Sequence, residues 1–582
     1  MHFKRIIAVC AVIFSLALHA KVKSIANPTV KIFHNAKIFT SDTNQLLIND
    51  GGIVVVNNYI LAVGTSQQAL SYTNIFSEAE IIDLEGKVML PGFNDSHVHP
   101  FDYFSYPQYG GNGVIANDNS FIPGPGPSFQ EVLDDIEATA QVTPAGKWIF
   151  AFIGTQILED TSVSRLAIDA VAPNNPVVLA SWFGHGTIVN TNTINTIGLS
   201  LMEADPPGGF YGRFESGPLA GQLNGVVKEY AEHAIRRYFA SQMTDQQLIS
   251  LFEDYALLAA QSGYTTLQEF AVGIPQERHL DIIRQANTVL RVRAHCFPMA
   301  LDEECAVPSD FSPAVPGSKK YAGGVKWIDD GTPIERFTFL RNEYEDAPGV
   351  FGMPNFTPDE IKQQFERAAS TPLYLKRRNQ LMVHQTGDAL ADLMFMKQQE
   401  VNADPSFWAD RRPRLEHALV LQPDQIQVAA QYGWTIVTNP IFFSLPDLWN
   451  ARLGPVQEAG LWPVKSILDA GATLAMGSDA VTVVRGPFID LFFAQINPSN
   501  PAEAISLEEA IIAYTLGSAK AEFKEHVKGT IGTLKLADFV VLNQDIFNLP
   551  SPDAILGTQV LLTVVNGEVV HEVPGSIKRT KN

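Results

Sequence analysis

Cysteine is nearly absent from this chain, with three in 582 residues, at Cys10, Cys296 and Cys305. No Cys-x-x-Cys pair occurs, which excludes zinc ribbons and dithiol redox sites of that kind. Two other motifs are missing as well: a P-loop-type glycine run that would cradle phosphates, and a Gly-x-Ser-x-Gly elbow that would present a serine nucleophile. Positive charge is scarce, with 41 Lys and Arg against 62 Asp and Glu and a net charge of −21. That balance argues against nucleic acid or an anionic membrane as partner. Beyond the first twenty residues no apolar run is long enough to span a bilayer, and no fixed-period repeat is apparent.

What is present begins with an N-terminal address. Lys4 and Arg5 precede an apolar run over residues 6–18, and Leu18-His19-Ala20 ends on a small residue. The run falls short of the ~20 apolar residues that cross a bilayer, so residues 1–20 read as a cleaved export signal. The mature protein is expected to be periplasmic or secreted and free of the membrane after cleavage. Cys296 and Cys305 could pair in such an oxidising compartment, although two buried free thiols are the favoured reading.

Hydrophobic content of 46% and charged content of 18% are globular values. The length suits a barrel of ~250 residues or more with additions. Residues 29–90 alternate short β-rich runs with turns, and the same texture returns at 538–542 and 560–570. Neither piece can close a core alone, so residues 21–90 and 526–582 are expected to form one small β-sandwich from both chain ends. Between them, apolar runs alternate with helical stretches such as 357–370, where Thr357 is the N-cap and Glu360 follows three residues on. Candidate strands are 88–90, 264–268, 290–294, 324–328, 381–384, 414–417, 434–437 and 473–477. Eight strands with intervening helices predict an α/β fold, a (β/α)8 TIM-like barrel over residues 91–525. The stretch 101–262 is too long for a βα loop and reads as an insertion that covers the barrel mouth.

The chemistry-bearing residues fall at the ends of these strands. Leu90-Pro91-Gly92-Phe93-Asn94-Asp95-Ser96-His97-Val98-His99 places two histidines two apart, and in an extended chain such residues point the same way. Both imidazoles can then reach one cation. His384, His417 and Asp479 follow at the ends of the fifth, sixth and eighth candidate strands, and Lys326 lies within the fourth. Such barrels gather their active sites at the C-terminal ends of strands. The lysine has a second reading, an ion pair with Asp329 or Asp330. Phe101, Tyr103, Trp182, Phe183, Trp327, Phe442 and Phe443 lie near these motifs and lean towards a ring-lined pocket.

On these motifs, together with Gly323-Gly324-Val325-Lys326-Trp327-Ile328-Asp329-Asp330-Gly331, Val383-His384-Gln385-Thr386-Gly387-Asp388, Arg414-Leu415-Glu416-His417-Ala418, Gly477-Ser478-Asp479-Ala480 and the closing Gly529-Thr530-Ile531-Gly532, the chain resembles the amidohydrolase superfamily. More narrowly, it resembles amidohydrolase family 3, the branch with N-substituted formamide deformylases. The resemblance implies that His97 and His99 hold the more buried metal and that His384 and His417 hold a second. It implies that Lys326 bridges the two as a carbamate, and that Asp479 is both ligand and general base. One or two divalent ions, zinc by preference, are the implied cofactors. Asp388, four residues after His384, and Glu416, beside His417, are candidates to orient imidazoles by accepting their second N–H, or instead to cap a helix or meet an arginine. His185 opens a family motif, His-x-x-x-x-Asn, that Asn190 completes; His185 and Trp182 are substrate-side candidates. The family's Gly-x-Leu-x-Glu is interrupted here by Gly225, and Glu229 is the nearest candidate for its carboxylate.

The function so implied is an exported metal-dependent hydrolase that cleaves an amide-type, non-peptide C–N bond of a small molecule with metal-activated water. The alternatives are an ester or lactone hydrolase on the same metal site, or a non-catalytic binding protein on the same barrel. Oligomeric state is left open, a homo-oligomer included.

Overall fold

The computed structural model describes residues 28–101, 113–117, 126–160, 162–181, 183–312, 317–455, 459–481 and 484–581. The expected export signal, Tyr103 and Trp182 lie outside the described residues.

Eight parallel strands form the centre: β1 (Phe93–Val98), β2 (Tyr264–Phe270), β3 (Arg291–Cys296), β4 (Lys320–Ile328), β5 (Leu381–Gln385), β6 (Arg414–His417), β7 (Thr435–Thr438) and β8 (Thr473–Met476). Each pairs with the next in register. β8 meets β1 through the chain just beyond it, where Asp479 N donates to His97 O at 2.8 Å and His99 N to Ala480 O at 3.0 Å. The barrel is thereby nearly closed, and the α/β TIM-like expectation is met. Helices fit between the strands as the capping signals imply. Thr357 accepts from Glu360 N and its own N–H donates to the Glu360 carboxylate at 2.8 Å, fixing the start of the helix Pro358–Ser370.

The first strand is not where the apolar pattern put it. Residues 88–90 were the first candidate barrel strand, but Val88–Pro91 pairs with Val30–Phe39 and Phe539–Leu542 in the small sheet. The barrel starts only after Gly92, where an added Cβ would lie 2.1 Å from a methyl of Thr265. β1 is inconspicuous in sequence because its buried residues include a polar run, Asn94-Asp95-Ser96-His97. Asn94 donates to Glu522 Oε1 at 2.8 Å, and Asp95 accepts from Ser478 Oγ at 2.6 Å. Burial of such groups is tolerable only because they are paired.

That polar lining continues around the barrel interior. Arg414 donates to Gln268 Oε1 at 2.8 Å and to Ser96 O at 2.7 Å. The alternate residues Leu267, Val383, Leu415 and Ile436 face outward into the main apolar core under the helices.

Strands from both chain ends share one nine-stranded sheet that forks at Val30–Phe39, pairing with Glu80–Asp83 along one half and Val88–Pro91 along the other. Phe33, Ile38, Ile53, Met89, Phe539, Val541 and Leu562 form its core. The long segment between β1 and β2 builds a separate six-stranded sheet, with Gly186–Val189 and Leu223–Glu229 as antiparallel neighbours. Its helices end in Asp245–Gln261, which leads into β2.

Cys296, the last residue of β3, is disulfide-bonded to Cys305 across a Cα–Cα distance of 5.7 Å. The free-thiol reading is corrected: the chain folds back on itself just after β3, which nothing in the local sequence announces. A nine-residue separation closes a short loop. Cys305→Ser is therefore expected to cost about 2–3 kcal/mol, read as a lower urea midpoint with activity retained in the folded enzyme.

Candidate active site

His97 leaves the C-terminal end of β1 and His99 follows just beyond it. Their Nε2 atoms lie 3.2 Å apart, and Asp479 Oδ1 is 3.6 Å from the first and 3.3 Å from the second. These three ligand atoms all fall within 4.8 Å of one another. Asp479 Oδ2 is 3.8 Å from His417 Nδ1 at the end of β6. The His417 ring packs 4.8 Å from that of His97 and 4.4 Å from that of His384 on β5. Lys326 on β4 lies with its Nζ 5.4 Å from the centroid of the Phe270 ring, which also packs on His97 at 4.4 Å.

One nitrogen of each ring lies within hydrogen-bond reach of an oxygen acceptor. Glu416 Oε2 accepts from His97 Nδ1 at 2.6 Å, Phe270 O from His99 Nδ1 at 3.1 Å, and Asn439 Oδ1 from His417 Nδ1 at 2.8 Å. Gly331 O accepts from His384 Nε2 at 3.4 Å. Each imidazole has one nitrogen held by an oxygen that can only accept, so the other keeps its lone pair for a cation. Burial, with Lys326 next in weight, pushes the His97 ring well below its ordinary pKa, and burial holds His417 down at about 4. Burial works against the Asp479 charge, but the imidazoles led by His97 outweigh it and hold its carboxyl well below the usual range. Neutral imidazoles beside a carboxylate are a divalent-metal donor set.

Lys326 Nζ is buried with no hydrogen-bond partner. Asp329 accepts from Gln364 Nε2 at 3.0 Å, while Asp330 is taken by the backbone N–H groups of Phe339, Thr386 and Gly387. The ion-pair reading of the lysine is therefore not what the fold adopts. Burial lowers its pKa to about 8, towards the neutral amine.

Two of the site residues carry backbone strain. His417 has φ +76° and Asp479 φ +46°, both in the left-handed region that non-glycine residues avoid. Arg485 holds the second by donating to the carbonyls of Ser478 and Asp479, each at 2.8 Å. Gly477 brings this turn against β1, since a Cβ there would lie 2.5 Å from His97 N. Gly477→Ala should push the two apart, lowering stability by about 1–3 kcal/mol. Activity should fall more than tenfold, read by urea unfolding and by kcat.

Of the two orienting candidates, Glu416 serves an imidazole and Asp388 does not. Glu416 makes no hydrogen bond to its neighbour His417, whose Nδ1 is taken by Asn439 Oδ1 at 2.8 Å. It crosses the barrel to His97 and is itself held by Arg414 Nε at 2.7 Å. Asp388 accepts from Arg341 N at 2.8 Å and Gln422 Nε2 at 3.1 Å, away from His384. Of the rings near these motifs, Trp327 packs on Phe356 and Phe443 on Trp462, while Phe270 packs on His97 at the site.

The insertion delivers His185, whose ring centroid is 5.0 Å from that of His384. Its Nδ1 is 3.0 Å from Glu229 Oε1, and Asn355 Nδ2 donates to Glu229 Oε2 at 2.9 Å. Burial opposes charge on His185, but Glu229 outweighs it and raises the ring to about 9. Glu335 joins this group with its ligand atom within 4.8 Å of theirs. Asn190 stays apart, capping the helix Thr191–Thr196. Glu335, Asn439 and the Phe270 carbonyl were not singled out from sequence. Only Arg414-x-Glu416, two like-facing charges on one strand, carried a legible signal.

Donor side chains gathered at the C-terminal ends of barrel strands could hold divalent metal and so activate water. The amidohydrolase family model matches residues 80–571, and the chain belongs to that family. It is thus a hydrolase of carbon–nitrogen bonds other than peptide bonds and a user of divalent metal. Among its relatives, the protein LONG AFTER FAR-RED 3 of Arabidopsis thaliana is 27% identical over 92% of this chain and 91% of its own. N-substituted formamide deformylase of Arthrobacter pascens is 25% identical over 93% and 98%. An uncharacterized metal-dependent hydrolase of Pyrococcus horikoshii shares the fold with a TM-score of 0.65 at 18% identity, covering 90% of this chain and 99% of that one.

Proposed function

We propose that this enzyme hydrolyses the amide bond of an N-formyl or N-acyl amine of small size, and that it works outside the cytoplasm with zinc. The observation that carries the reading is the His97, His99 and Asp479 cluster, with each imidazole's second nitrogen already occupied by an acceptor. His97, His99 and Asp479 would hold one ion. His384 and His417 would hold the second, with Lys326 joining as its carbamate. The orphaned, neutral-leaning Nζ supports that last role, because CO2 adds to a free amine with release of a proton. Bound metal supplies Lewis acidity, polarising the substrate carbonyl and easing deprotonation of water.

The chain's own residues do the rest. Asp479 takes the proton that the attacking water loses and returns it to the leaving amine. His185, held charged by Glu229, donates towards the carbonyl oxygen where negative charge develops. The likeness to a formamide deformylase supports the choice of acyl group. The basic start followed by an apolar run, and the Cys296–Cys305 disulfide, support an oxidising compartment and cleavage after Ala20.

The test is metal analysis of the purified mature protein alongside a screen of N-formyl amines, N-acyl amines, esters and lactones. Two zinc ions per chain and turnover of the amides are expected. Turnover of lactones or esters alone would replace the bond assignment. A protein inert after zinc and bicarbonate are supplied would reject the reading.

A further inference from the structure

The opposite end of the barrel holds a second cavity, of about 480 Å3, whose lining includes Arg293, Lys376, Arg377, Arg378 and Lys524. Arg293 and Tyr321 come from the starts of β3 and β4, residues 373–378 precede β5, and Lys524 follows the helix Ser518–Ala521. Metal-donor side chains lie at the other ends of these strands, so this cavity is separate from the candidate active site.

Its charge is out of keeping with the rest of the chain. The protein carries −21 overall, yet five cations meet at one concavity. Among the described residues, Lys376, Arg377, Arg378 and Lys524 form no ion pair with a carboxylate. The cavity's one acid, Glu522, is already spent. Lys528 Nζ binds its Oε1 at 2.6 Å, Asn94 donates to the same oxygen at 2.8 Å, and Tyr321 donates to Oε2 at 2.6 Å. Arg293 is fully buried, and its bonds go to neutral groups, Gln380 Oε1 at 2.8 Å and Ala521 O at 3.4 Å.

The cations also crowd one another. Lys376, Arg377 and Arg412 share the Phe523 ring, at 5.1, 5.9 and 4.8 Å from its centroid, while Lys524 sits 4.9 Å over Tyr321. Like charges held together in a low-dielectric concavity focus positive potential that an anion would relieve. Burial lowers Lys524 to about 8, the direction expected of an ammonium that lacks its counter-ion.

We propose that this cavity binds a small oxyanion carrying two or more negative charges, a phosphate ester or a polycarboxylate, gripped by Arg293, Arg377, Arg378 and Lys524. Planar guanidinium groups suit either kind of oxyanion, because both offer paired oxygens.

Isothermal titration of the metal-loaded, full-length mature protein tests this, with inorganic phosphate and tricarballylate as probes and sodium chloride at matched ionic strength as control. One probe or both should bind once per chain, and which one binds tells phosphate from carboxylate recognition. The double variant Arg377→Gln/Lys524→Gln should weaken that binding at least tenfold while anion-free amide hydrolysis is unchanged. If the pair fails to fold, Arg378→Gln alone should still weaken binding. Binding no tighter than chloride would overturn the proposal. So would binding that these variants leave intact, since the anion would then sit on the catalytic metals.

Discussion

Asp479→Asn is expected to lower kcat for an N-formyl amine by about 10^3-fold, within the range set by removal of a general base. Asparagine keeps the shape and one oxygen donor, so most of the metal should remain. It also tolerates the left-handed backbone that this position requires, φ +46°, better than most residues do. What it loses is the ability to take a proton. With Oδ1 3.3 Å from His99 Nε2 and Oδ2 3.8 Å from His417 Nδ1, the carboxylate stands between the two donor groups. A fall in kcat with near-normal zinc content and little change in KM would match that position. Turnover at the wild-type level would remove Asp479 from the chemistry and leave it a ligand only.

Glu416→Gln should produce the largest loss of stability. Both oxygens of Glu416 are buried and bound, accepting from Arg414 Nε at 2.7 Å and Nη2 at 3.0 Å, with Oε2 also 2.6 Å from His97 Nδ1. Removing the charge leaves the Arg414 guanidinium inside the barrel without a carboxylate, a change that costs about 3–5 kcal/mol. It also frees the ring of His97 to turn or change tautomer, for which about 10–100-fold in metal affinity is typical. Urea unfolding reads the first effect, and competition with a zinc chelator the second. Loss of stability with unchanged zinc affinity would make Glu416 a prop of the barrel interior with no hold on the metal.

Much of the candidate site was legible because it sits at strand ends. His384, His417 and Asp479 each close a recognisable βα unit, and His97-Val98-His99 has the two-residue period that puts side chains on one face. The partners of those residues were not legible. Glu416 stands beside one histidine in sequence and serves the histidine across the barrel, more than three hundred residues away. Asn439 and the carbonyl of Phe270 carry no pattern at all, since an orienting acceptor can come from any element that passes. The first strand was misplaced for a related reason: its residues Asn94, Asp95 and Ser96 are polar, and only their distant partners make burial possible.

Local sequence alone determined the alternation of strand and helix, hence the barrel, and the side chains able to bind metal. Both follow from short-range rules: backbone geometry sets the period, and side-chain chemistry sets the ligand type. Tertiary structure decided which nitrogen each imidazole offers, that Lys326 stands unpaired, that Cys296 meets Cys305, and that five cations share one cavity. Those outcomes depend on the spacing of groups far apart along the chain, and distances of that kind exist only once the strands have closed into a ring.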